Sequence, residues 1–217
     1  MTRLRHVMPS KPSPEVFAKY AHTMKSEVRS SMTRARVMTP KPQRAAASAA
    51  IAARVLELPE WARARTVALF APILRKGEVD TAELHRAATA AGKAVAYPVL
   101  VGDSPLLEDC SMSFRFVDDL GALAERGRGF PEPPRDGPEV EALDLVIVPA
   151  LAFDPAGYRL GYGAGFYDRA LPRLGGCTKV GVAYDFQLVM ELPRAPHDVP
   201  VHVVVTDQRV VRGGDAE

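Results

Sequence analysis

A glycine-rich loop late in the chain constrains the fold more than any other feature. An apolar run at residues 144–151 (DLVIVPAL) precedes it, a helix-like run begins at Phe166, and glycines stand between them at positions 157, 161, 163 and 165. The apolar run is typical of a buried strand. A strand, a glycine loop and a helix start bring backbone amides close to one point, because glycine lacks the Cβ that blocks close approach. The loop therefore predicts an anion site at the end of a strand.

Charged residues within and beside this loop indicate the kind of anion. Arg159 and Arg169 supply charge-assisted donors for phosphate oxygens, while Asp154 and Asp168 supply carboxylates that suit Mg²⁺. A loop that only reverses the chain requires neither the alternating glycines nor these charges. We therefore predict a phosphate site and an enzyme that uses a nucleotide. Asp168 lies in the first turn of the predicted helix, where a metal role and a contact with the helix dipole are both open.

Two familiar nucleotide motifs do not occur in the sequence. The P-loop ends in Gly-Lys-Ser/Thr, and the chain contains no such triplet. The dinucleotide fingerprint is G-x-G-x-x-G close to the first strand, whereas positions 161, 163 and 165 form G-x-G-x-G late in the chain. The predicted phosphate site therefore belongs to neither motif.

Length and composition are those of an ordinary globular protein with a real core. The chain has 217 residues, 47% hydrophobic and 25% charged, with a net charge of +2. It has no block of basic residues typical of nucleic-acid binding, no apolar run that would span a membrane, and no secretory signal pattern. Cys110 and Cys177 lack the spacing of a metal site or redox pair, which predicts free thiols. We expect a cytoplasmic protein that binds neither nucleic acid nor membrane.

Helix-like and strand-like patterns alternate along the chain. Helices are predicted at residues 15–37, 42–58, 80–91, 118–125 and 166–174, and strands at residues 66–71, 93–97, 113–117, 145–149, 178–184, 201–206 and 209–211. This alternation predicts an α/β fold, with a single three-layer domain whose mainly parallel sheet is flanked by helices on both faces. We assign residues 25–217 to that domain. Residues 1–24 form an N-terminal extension, for which a mobile segment, part of the first helix and an upstream start site all stay open.

The loop and several other segments resemble one protein family. RLGYGAGFYDR, at residues 159–169, closely resembles the signature of the 5-formyltetrahydrofolate cyclo-ligases, also called methenyltetrahydrofolate synthetases. Further similar segments follow in the family's order over residues 25–205: KSEVR at 25–29, GEVDT at 77–81, YP at 97–98, FPEP at 130–133, DLVIVP at 144–149, GVAYDFQ at 181–187 and PHDVP at 196–200. Each short piece is weak by itself, but the ordered set is specific.

The resemblance implies a reaction and its partners. Family members convert 5-formyltetrahydrofolate to 5,10-methenyltetrahydrofolate with ATP and Mg²⁺, releasing ADP and phosphate. In the family's scheme the formyl oxygen attacks the γ-phosphate, N10 of the folate closes the ring, and phosphate leaves. The implied partners are ATP and 5-formyltetrahydrofolate, with or without a polyglutamate tail, and we expect the protein to act as a monomer.

The resemblance also implies roles for individual residues. ATP would be bound by Lys25, Ser26, Glu27, Val28, Arg29, Arg159, Leu160, Gly161, Tyr162, Gly163, Ala164, Gly165, Phe166 and Tyr167. The folate would be bound by Ile73, Glu78, Tyr162, Gly163, Ala164, Gly165 and Phe166. Asp168 and Asp198 would hold Mg²⁺, and the catalytic set would be Lys25, Arg159 and Asp168. Tyr97, Glu132 and Gln187 are expected as neighbours of the site.

Without the resemblance, some of these residues also fit roles that involve no ligand. Lys25 and Arg29 lie four positions apart, which also suits a solvated basic face of a helix. Asp198 also fits a polar turn, and Glu78 a residue that precedes a helix start. These readings stay open beside the roles that the resemblance implies.

The chain departs from the family pattern at three positions. Ala164 and Phe166 stand where many members carry glycine and tyrosine, and Ala164 would be strained if its φ were positive. His202 stands where many bacterial members have an acidic residue, which either removes a contact near the metal or is a surface change.

Two other functions stay open at this point. A paralogue with the same ATP-binding loop could act on another acceptor, and a non-catalytic module could bind nucleotide or RNA. The lack of a stripe of basic and aromatic residues argues against the second of these alternatives.

Overall fold

The computed structural model describes residues 14–102, 104, 110–127, 129–195 and 197–213, with the backbone alone for residues 14–21. The helices are α1 (Pro14–Met38), α2 (Lys41–Leu56), α3 (Pro59–Arg63), α4 (Ala82–Ala90) and α5 (Phe166–Ala170). The strands are β1 (Thr66–Ala68), β2 (Ala94–Val101), β3 (Ser111–Phe116), β4 (Ala124–Glu125), β5 (Pro131–Glu132), β6 (Leu145–Pro149), β7 (Ala152–Phe153), β8 (Arg159–Leu160), β9 (Thr178–Val182), β10 (Val203–Val205) and β11 (Val210–Arg212). Short 3₁₀ turns lie at Leu74–Lys76, Leu120–Ala122, Leu171–Arg173 and Asp185–Gln187.

Seven of these strands form one sheet in the order β11-β10-β9-β6-β1-β2-β3. The pairs β1–β2, β1–β6, β6–β9 and β9–β10 are parallel. Only the edge pairs β2–β3 and β10–β11 of this sheet are antiparallel. The prediction of a mainly parallel sheet is therefore confirmed, and β10 and β11 form a hairpin at the end of the sheet.

Alternate residues of the central strands face opposite sides of the sheet. Val67 and Ile147 pack with Ile51 of α2 and Leu84 of α4 on one side. On the other side the neighbouring strand residues pack against α5 and the turn that follows it: Ala68, Ala96, Val146 and Val204 with Ala170 and Leu171. Strands buried on both faces read as continuous apolar runs, which is the pattern of residues 144–151. The three-layer α/β prediction is confirmed.

Several predicted element boundaries are wrong for local reasons. Residues 118–125, predicted as a helix, form only a 3₁₀ turn at Leu120–Ala122. Asp119 accepts a hydrogen bond from the Gly121 amide at 3.0 Å, and the chain then enters β4, which pairs with β5. The helix predicted to residue 174 ends at Ala170 and tightens into a 3₁₀ turn, because Pro172 has no amide hydrogen for an α-helical bond. Helix α3, which buries Trp61, was not predicted.

The N-terminal extension is described only in part. Residues 1–13 lie outside the described residues. Helix α1 begins at Pro14, close to the predicted start of the first helix, and continues without a break across position 24. In the described part of the chain, no helix is long and apolar enough to cross a bilayer.

The order of the sheet creates a crevice beside its central strands. Strand β1 lies between β2 and β6, so the chain leaves β1 toward one side for β2 and crosses to the other side for β6. In open α/β sheets, ligands bind outside the carboxyl ends of the strands where the strand order reverses in this way. A ligand site is therefore expected at the segments that follow β1, β2 and β6.

Candidate active site

A cavity of about 420 Å³ lies at these strand ends, which is within the usual size range of ligand sites. Phe70 and Ala71 follow β1, Pro98 and Leu100 belong to β2, and Pro149 ends β6, and all of them line the cavity. Helix α1 and the glycine loop (residues 157–165) close the other sides. The cavity thus joins segments that are far apart in the sequence.

Most of the predicted site residues meet in this cavity. Those that line it are Lys25, Arg29, Ile73, Glu78, the whole segment 159–168 and Asp198. Ser26, Glu27 and Val28 do not line it. Ser26 and Glu27 are exposed, while Val28 packs against Leu160 and holds α1 against the glycine loop.

The start of the glycine loop is fixed by a buried carboxylate. Asp154 is 1% exposed, and its side chain accepts hydrogen bonds from the amides of Tyr158 at 2.9 Å and Leu192 at 3.3 Å. Gly157 has φ +86°, and a Cβ there would lie 2.3 Å from the carbonyl oxygen of Val201. Asp154 is thus used within the turn and is not among the residues that line the cavity.

The end of the loop needs glycine at two positions. Gly163 has φ +110° and Gly165 has φ +67°, both in the left-handed region that side chains rarely adopt. Ala164 between them does not have a positive φ, so this departure from the family pattern costs no backbone strain. Gly165 directly precedes α5, whose first turn carries Asp168.

Arg159 and Asp168 form an ion pair across the loop. Nη2 of Arg159 lies 2.5 Å from Oδ1 of Asp168, and its Nη1 donates to the carbonyl oxygen of Val199. The side chain of Arg159 is 4% exposed. Burial lowers the pKa of Arg159 from its usual value, and the charges of Asp168, Tyr167 and Asp198 oppose that shift.

Helix α1 contributes two more cations from one face. Nζ of Lys25 lies 3.4 Å from Oδ2 of Asp198, which also accepts a hydrogen bond from the Ala195 amide at 2.7 Å. Nε of Arg29 donates to the carbonyl oxygen of Gly161 at 3.0 Å. The two side chains therefore attach α1 to the Asp198 segment and to the glycine loop.

The carboxylates present fit a Mg²⁺ ion that is shared with a phosphate. Asp168 pairs with Nη2 of Arg159, and Nη1 of Arg159 donates to the carbonyl oxygen of Val199, the residue after Asp198, so both aspartates lie near the same guanidinium. Within the described residues, no group of three or more His, Cys, Asp or Glu side chains forms a complete metal site. Mg²⁺ usually takes one or two carboxylates and completes its shell with phosphate oxygens and water, and this donor set suits that arrangement.

Glu78 lines the cavity through contacts separate from those of Arg159 and Lys25, and it is held from several directions. It is 8% exposed. Its Oε2 accepts from the Ile73 amide at 2.7 Å, and its Oε1 accepts from the Tyr162 hydroxyl at 3.2 Å. Its backbone carbonyl accepts from the Tyr184 hydroxyl at 3.2 Å. Burial, and then the charge of Glu78, raise the pKa of Tyr162 to about 12.

Sequence reasoning missed two cations beside Tyr162. Nζ of Lys76 lies 4.4 Å from the centroid of the Tyr162 ring and lines the cavity. Arg36 lies behind Tyr162 and contacts both Tyr162 and Glu78. The signal for Arg36 was available, since it follows Arg29 by seven positions and so shares its face of α1. Lys76 had no signal beyond its closeness to Glu78 in the chain.

The three expected neighbours lie behind the wall of the cavity. Gln187 donates to the carbonyl oxygens of Ala150 at 3.3 Å and Leu151 at 2.7 Å. Glu132 accepts from the Leu100 amide at 3.0 Å, and the hydroxyl of Tyr97 lies 3.2 Å from Nδ1 of His85. These residues are buried and do not line the cavity.

His202 lies outside the cavity. Its Nδ1 accepts a hydrogen bond from the Lys179 amide at 2.9 Å, at the start of β10, and its side chain is exposed. The departure from the family pattern at this position is therefore a surface change.

The fold and the cavity are those of an α/β enzyme with a glycine loop beside its candidate active site. The sequence model of the 5-formyltetrahydrofolate cyclo-ligase family matches residues 21–207, and the chain belongs to this family. Its relatives are named as enzymes, and this chain is an enzyme of the same family.

Individual relatives agree with this assignment over most of the chain. The 5-formyltetrahydrofolate cyclo-ligase of Escherichia coli K12 is 36% identical over 182 residues, which cover 82% of this chain and 96% of that protein. The NMR structure of Aquifex aeolicus 5,10-methenyltetrahydrofolate synthetase matches with a TM-score of 0.75 at 36% identity, covering 89% of this chain and 95% of that one. A Mycoplasma pneumoniae 5,10-methenyltetrahydrofolate synthetase shares the fold, with a TM-score of 0.66 at 22% identity over 84% of this chain and 98% of that one.

Proposed function

We propose that the protein closes 5-formyltetrahydrofolate to 5,10-methenyltetrahydrofolate at the expense of ATP, with release of ADP and phosphate. One observation carries the proposal beside the family membership. Among the residues that line the cavity, Lys25 pairs with Asp198 and Arg159 with Asp168, and these residues form its cationic side. Glu78 is bonded to a separate group, the Ile73 amide and the Tyr162 hydroxyl, which forms the second side. These two sides suit two different substrates, a polyphosphate and a flat heterocycle.

The phosphates of ATP fit the cationic side. Lys25, Arg29 and Arg159 each contact a protein oxygen that carries full or partial negative charge, and phosphate oxygens can replace those contacts. The glycine loop adds backbone amides without Cβ atoms, which lets a phosphate approach closely. Ser26, Glu27 and Val28 do not line the cavity, but they lie between Lys25 and Arg29 in the turn of α1 that is proposed to bind ATP.

Mg²⁺ is proposed to be held by Asp168 and Asp198. When bound, it neutralises charge on the phosphates during transfer. Asp168 contacts Arg159 and Asp198 contacts Lys25, so a metal held by these carboxylates would weaken both ion pairs and leave the two cations available to phosphate oxygens.

The folate fits the side formed by Glu78. Its carboxylate oxygens can accept hydrogen bonds from the amino and ring N–H groups of a pterin. Phe70, Ile73 and Leu100 supply an apolar wall for the flat ring. The segment from Tyr162 to Phe166 lies between the two sides and would border both substrates.

In the proposed reaction the protein positions the two substrates and neutralises the charge of the phosphates. The formyl oxygen attacks the γ-phosphorus of ATP and ADP leaves. N10 then attacks the activated carbon, loses its proton, and phosphate departs. An amide oxygen is a poor leaving group and phosphate is a good one, so the phosphoryl transfer makes ring closure possible. The residues on the cationic side stabilise the transferred charge.

The direct test is turnover by the purified protein. Incubation with 5-formyltetrahydrofolate and MgATP should raise the absorbance of the methenyl product, with one ADP released for each product molecule. A folded preparation that binds ATP but gives no rise would contradict the proposal and favour a paralogue with another acceptor. Salt-dependent RNA binding would favour the non-catalytic alternative. The monomeric state and cytoplasmic location stay predictions, which sedimentation and cell fractionation can check.

A further inference from the structure

A buried arginine that the proposed reaction does not use lies behind the cavity. Arg36 is 2% exposed, although arginine is rarely buried unless it is paired. Its Nη1 donates to the carbonyl oxygen of Ala150 at 3.4 Å, and its Nη2 donates to the hydroxyl of Tyr162. Its Nε is buried and has no hydrogen-bond partner among the described residues. Arg36 itself does not line the cavity.

The contacts of Arg36 form a chain that ends on Glu78. Tyr162 accepts from Arg36 and donates its own hydroxyl hydrogen to Oε1 of Glu78 at 3.2 Å. Nη2 of Arg36 also lies 3.8 Å from the same Oε1. The order guanidinium, phenol, carboxylate is consistent in its donors and acceptors, so every hydrogen bond of the chain can form at once.

The backbone around Glu78 is fitted to the same helix. Gly77 has φ +69°, and a Cβ there would lie 2.9 Å from the carbonyl oxygen of Arg36. The Glu78 segment therefore packs directly against α1 where Arg36 lies. A larger residue at position 77 would move Glu78 away from its partners.

Burying a guanidinium is costly unless its charge is compensated, so its position calls for a physical reason. One reason for burying Arg36 would be to attach α1 to the Ala150 carbonyl oxygen, but that hydrogen bond uses only Nη1 of the guanidinium. The other Nη points to Tyr162 and Glu78, which are proposed to contact ligand. The contacts of Arg36 thus serve the cavity wall as well as the fold.

We propose that Arg36 is a positioning residue for the folate: through Tyr162 it fixes the carboxylate of Glu78 in the orientation that receives the pterin. The inference rests on the proposed function, because it concerns the same cavity. It adds that α1 serves both halves, with Lys25 and Arg29 near the phosphates and Arg36 behind the folate wall. Loss of Arg36 should therefore weaken folate binding selectively.

The test compares Arg36→Met and Arg36→Lys with Arg34→Met, a matched control at an exposed position of the same helix. Removal of a hydrogen bond to a charged group should raise the KM for 5-formyltetrahydrofolate roughly tenfold in Arg36→Met. The KM for ATP should change by less than about twofold, because no contact of the phosphate side is lost. Arg36→Lys should lie in between, since it keeps the charge without the planar fork. Arg34→Met should match the wild type.

A second variant makes the test independent of whether Arg36→Met folds. Tyr162→Phe removes only the hydroxyl that joins Arg36 to Glu78, at a side chain that is 45% exposed. It should raise the folate KM by a similar factor, and the double variant should add little, because both changes break one chain. An unchanged folate KM in Tyr162→Phe, additive effects in the double variant, or an equal rise of both KM values in Arg36→Met would overturn the proposal.

The outcomes also separate this inference from the proposed function. A wild-type protein without turnover of 5-formyltetrahydrofolate contradicts the proposed function. A wild-type protein with normal turnover whose Tyr162→Phe variant keeps its folate KM contradicts the role of Arg36 alone. A selective rise in the folate KM supports both.

Discussion

Arg159 and Asp168 lie 2.5 Å apart across the glycine loop, so the residue proposed to bind phosphate and the residue proposed to bind Mg²⁺ form an ion pair. The pair joins β8 to the first turn of α5 and so fixes both ends of the segment that would surround the phosphates. A buried arginine needs such a partner, because desolvation penalises its charge. Ligand binding must therefore exchange this contact for others of at least equal strength.

Replacement of Asp168 should abolish turnover while the protein stays folded. Asp168→Ala removes a proposed Mg²⁺ ligand, and loss of metal-assisted charge stabilisation should lower kcat by roughly 10²-fold or more. Arg159 keeps its hydrogen bond to the Val199 carbonyl oxygen in this variant, and Asp168 is 29% exposed, so unfolding measured in urea should shift only moderately. Initial rates over a range of MgCl₂ concentrations give the measurement. Near-normal kcat at saturating Mg²⁺ would count against the metal role, and exposed Asp118→Ala is the control.

Replacement of Lys25 should affect ATP more than folate. Lys25 pairs with Asp198 on the side proposed to bind phosphate, and Lys25→Ala removes the charged donor proposed for a phosphate oxygen. The KM for ATP should rise roughly tenfold, with a smaller change in the KM for folate. Lys41→Ala, at an exposed position of α2, should leave both values unchanged. A larger effect on folate than on ATP would mean that the cationic side does not bind phosphate.

Replacement of Gly157 should destabilise the protein much more than replacement of Gly175. Gly157→Ala introduces a Cβ 2.3 Å from the Val201 carbonyl oxygen at φ +86°, which together should cost more than about 1 kcal/mol of the free energy of unfolding. Gly175 has no positive φ and open space around its Cβ position, so Gly175→Ala should be close to neutral. Urea denaturation of both variants gives the comparison. Equal stability would show that the turn can relax.

Acid should remove stability that depends on Asp144. The amides of Thr66 and Arg65 donate to its carboxylate at 2.9 and 2.7 Å and lower its pKa from the ordinary value of 3.8. A carboxylate with a lowered pKa in the folded state contributes stability above its unfolded pKa, and this is lost as the pH falls through the folded value.

The free energy of unfolding should therefore fall below about pH 4 with a smaller slope in Asp144→Asn than in the wild type. The measurement is urea unfolding at a series of acidic pH values. Asp118→Asn, at an exposed position, should keep the wild-type slope. Identical slopes for wild type and Asp144→Asn would mean that these two hydrogen bonds do not favour the ionised form.

The sheet was predictable because its strands are buried on both faces. β6 is part of a continuous apolar run, and its bounds, Leu145–Pro149, are those of the predicted strand. The wrong predictions concern short segments whose conformation is decided by one or two residues, such as the turn at Asp119 and the 3₁₀ turn that contains Pro172. Helical periodicity over a few residues cannot separate these turns from a helix.

The candidate site was predictable in part. Glycine and charge patterns alone indicated that the loop would lie at a site, while the proposed roles of Glu78 and Asp198 came from the resemblance to a family. Arg36 was missed because its burial depends on Glu78 and Tyr162, which reach it from distant parts of the chain. The sequence shows the helix face on which an arginine lies, but not which loops pack over it.

Helix α1 sets a fixed distance between the two halves of the cavity. Lys25 and Arg36 lie eleven positions apart on one continuous helix, which is roughly 16 Å along its axis at 1.5 Å per residue. The helix fixes both the distance and the relative direction of Lys25 and Arg36, because a residue inserted between them would rotate one side chain relative to the other by about 100°. If the proposed roles of Lys25 and Arg36 hold, the spacing between the proposed phosphate and folate contacts is encoded in a single stretch of sequence, whose length any redesign for a different acceptor would have to keep.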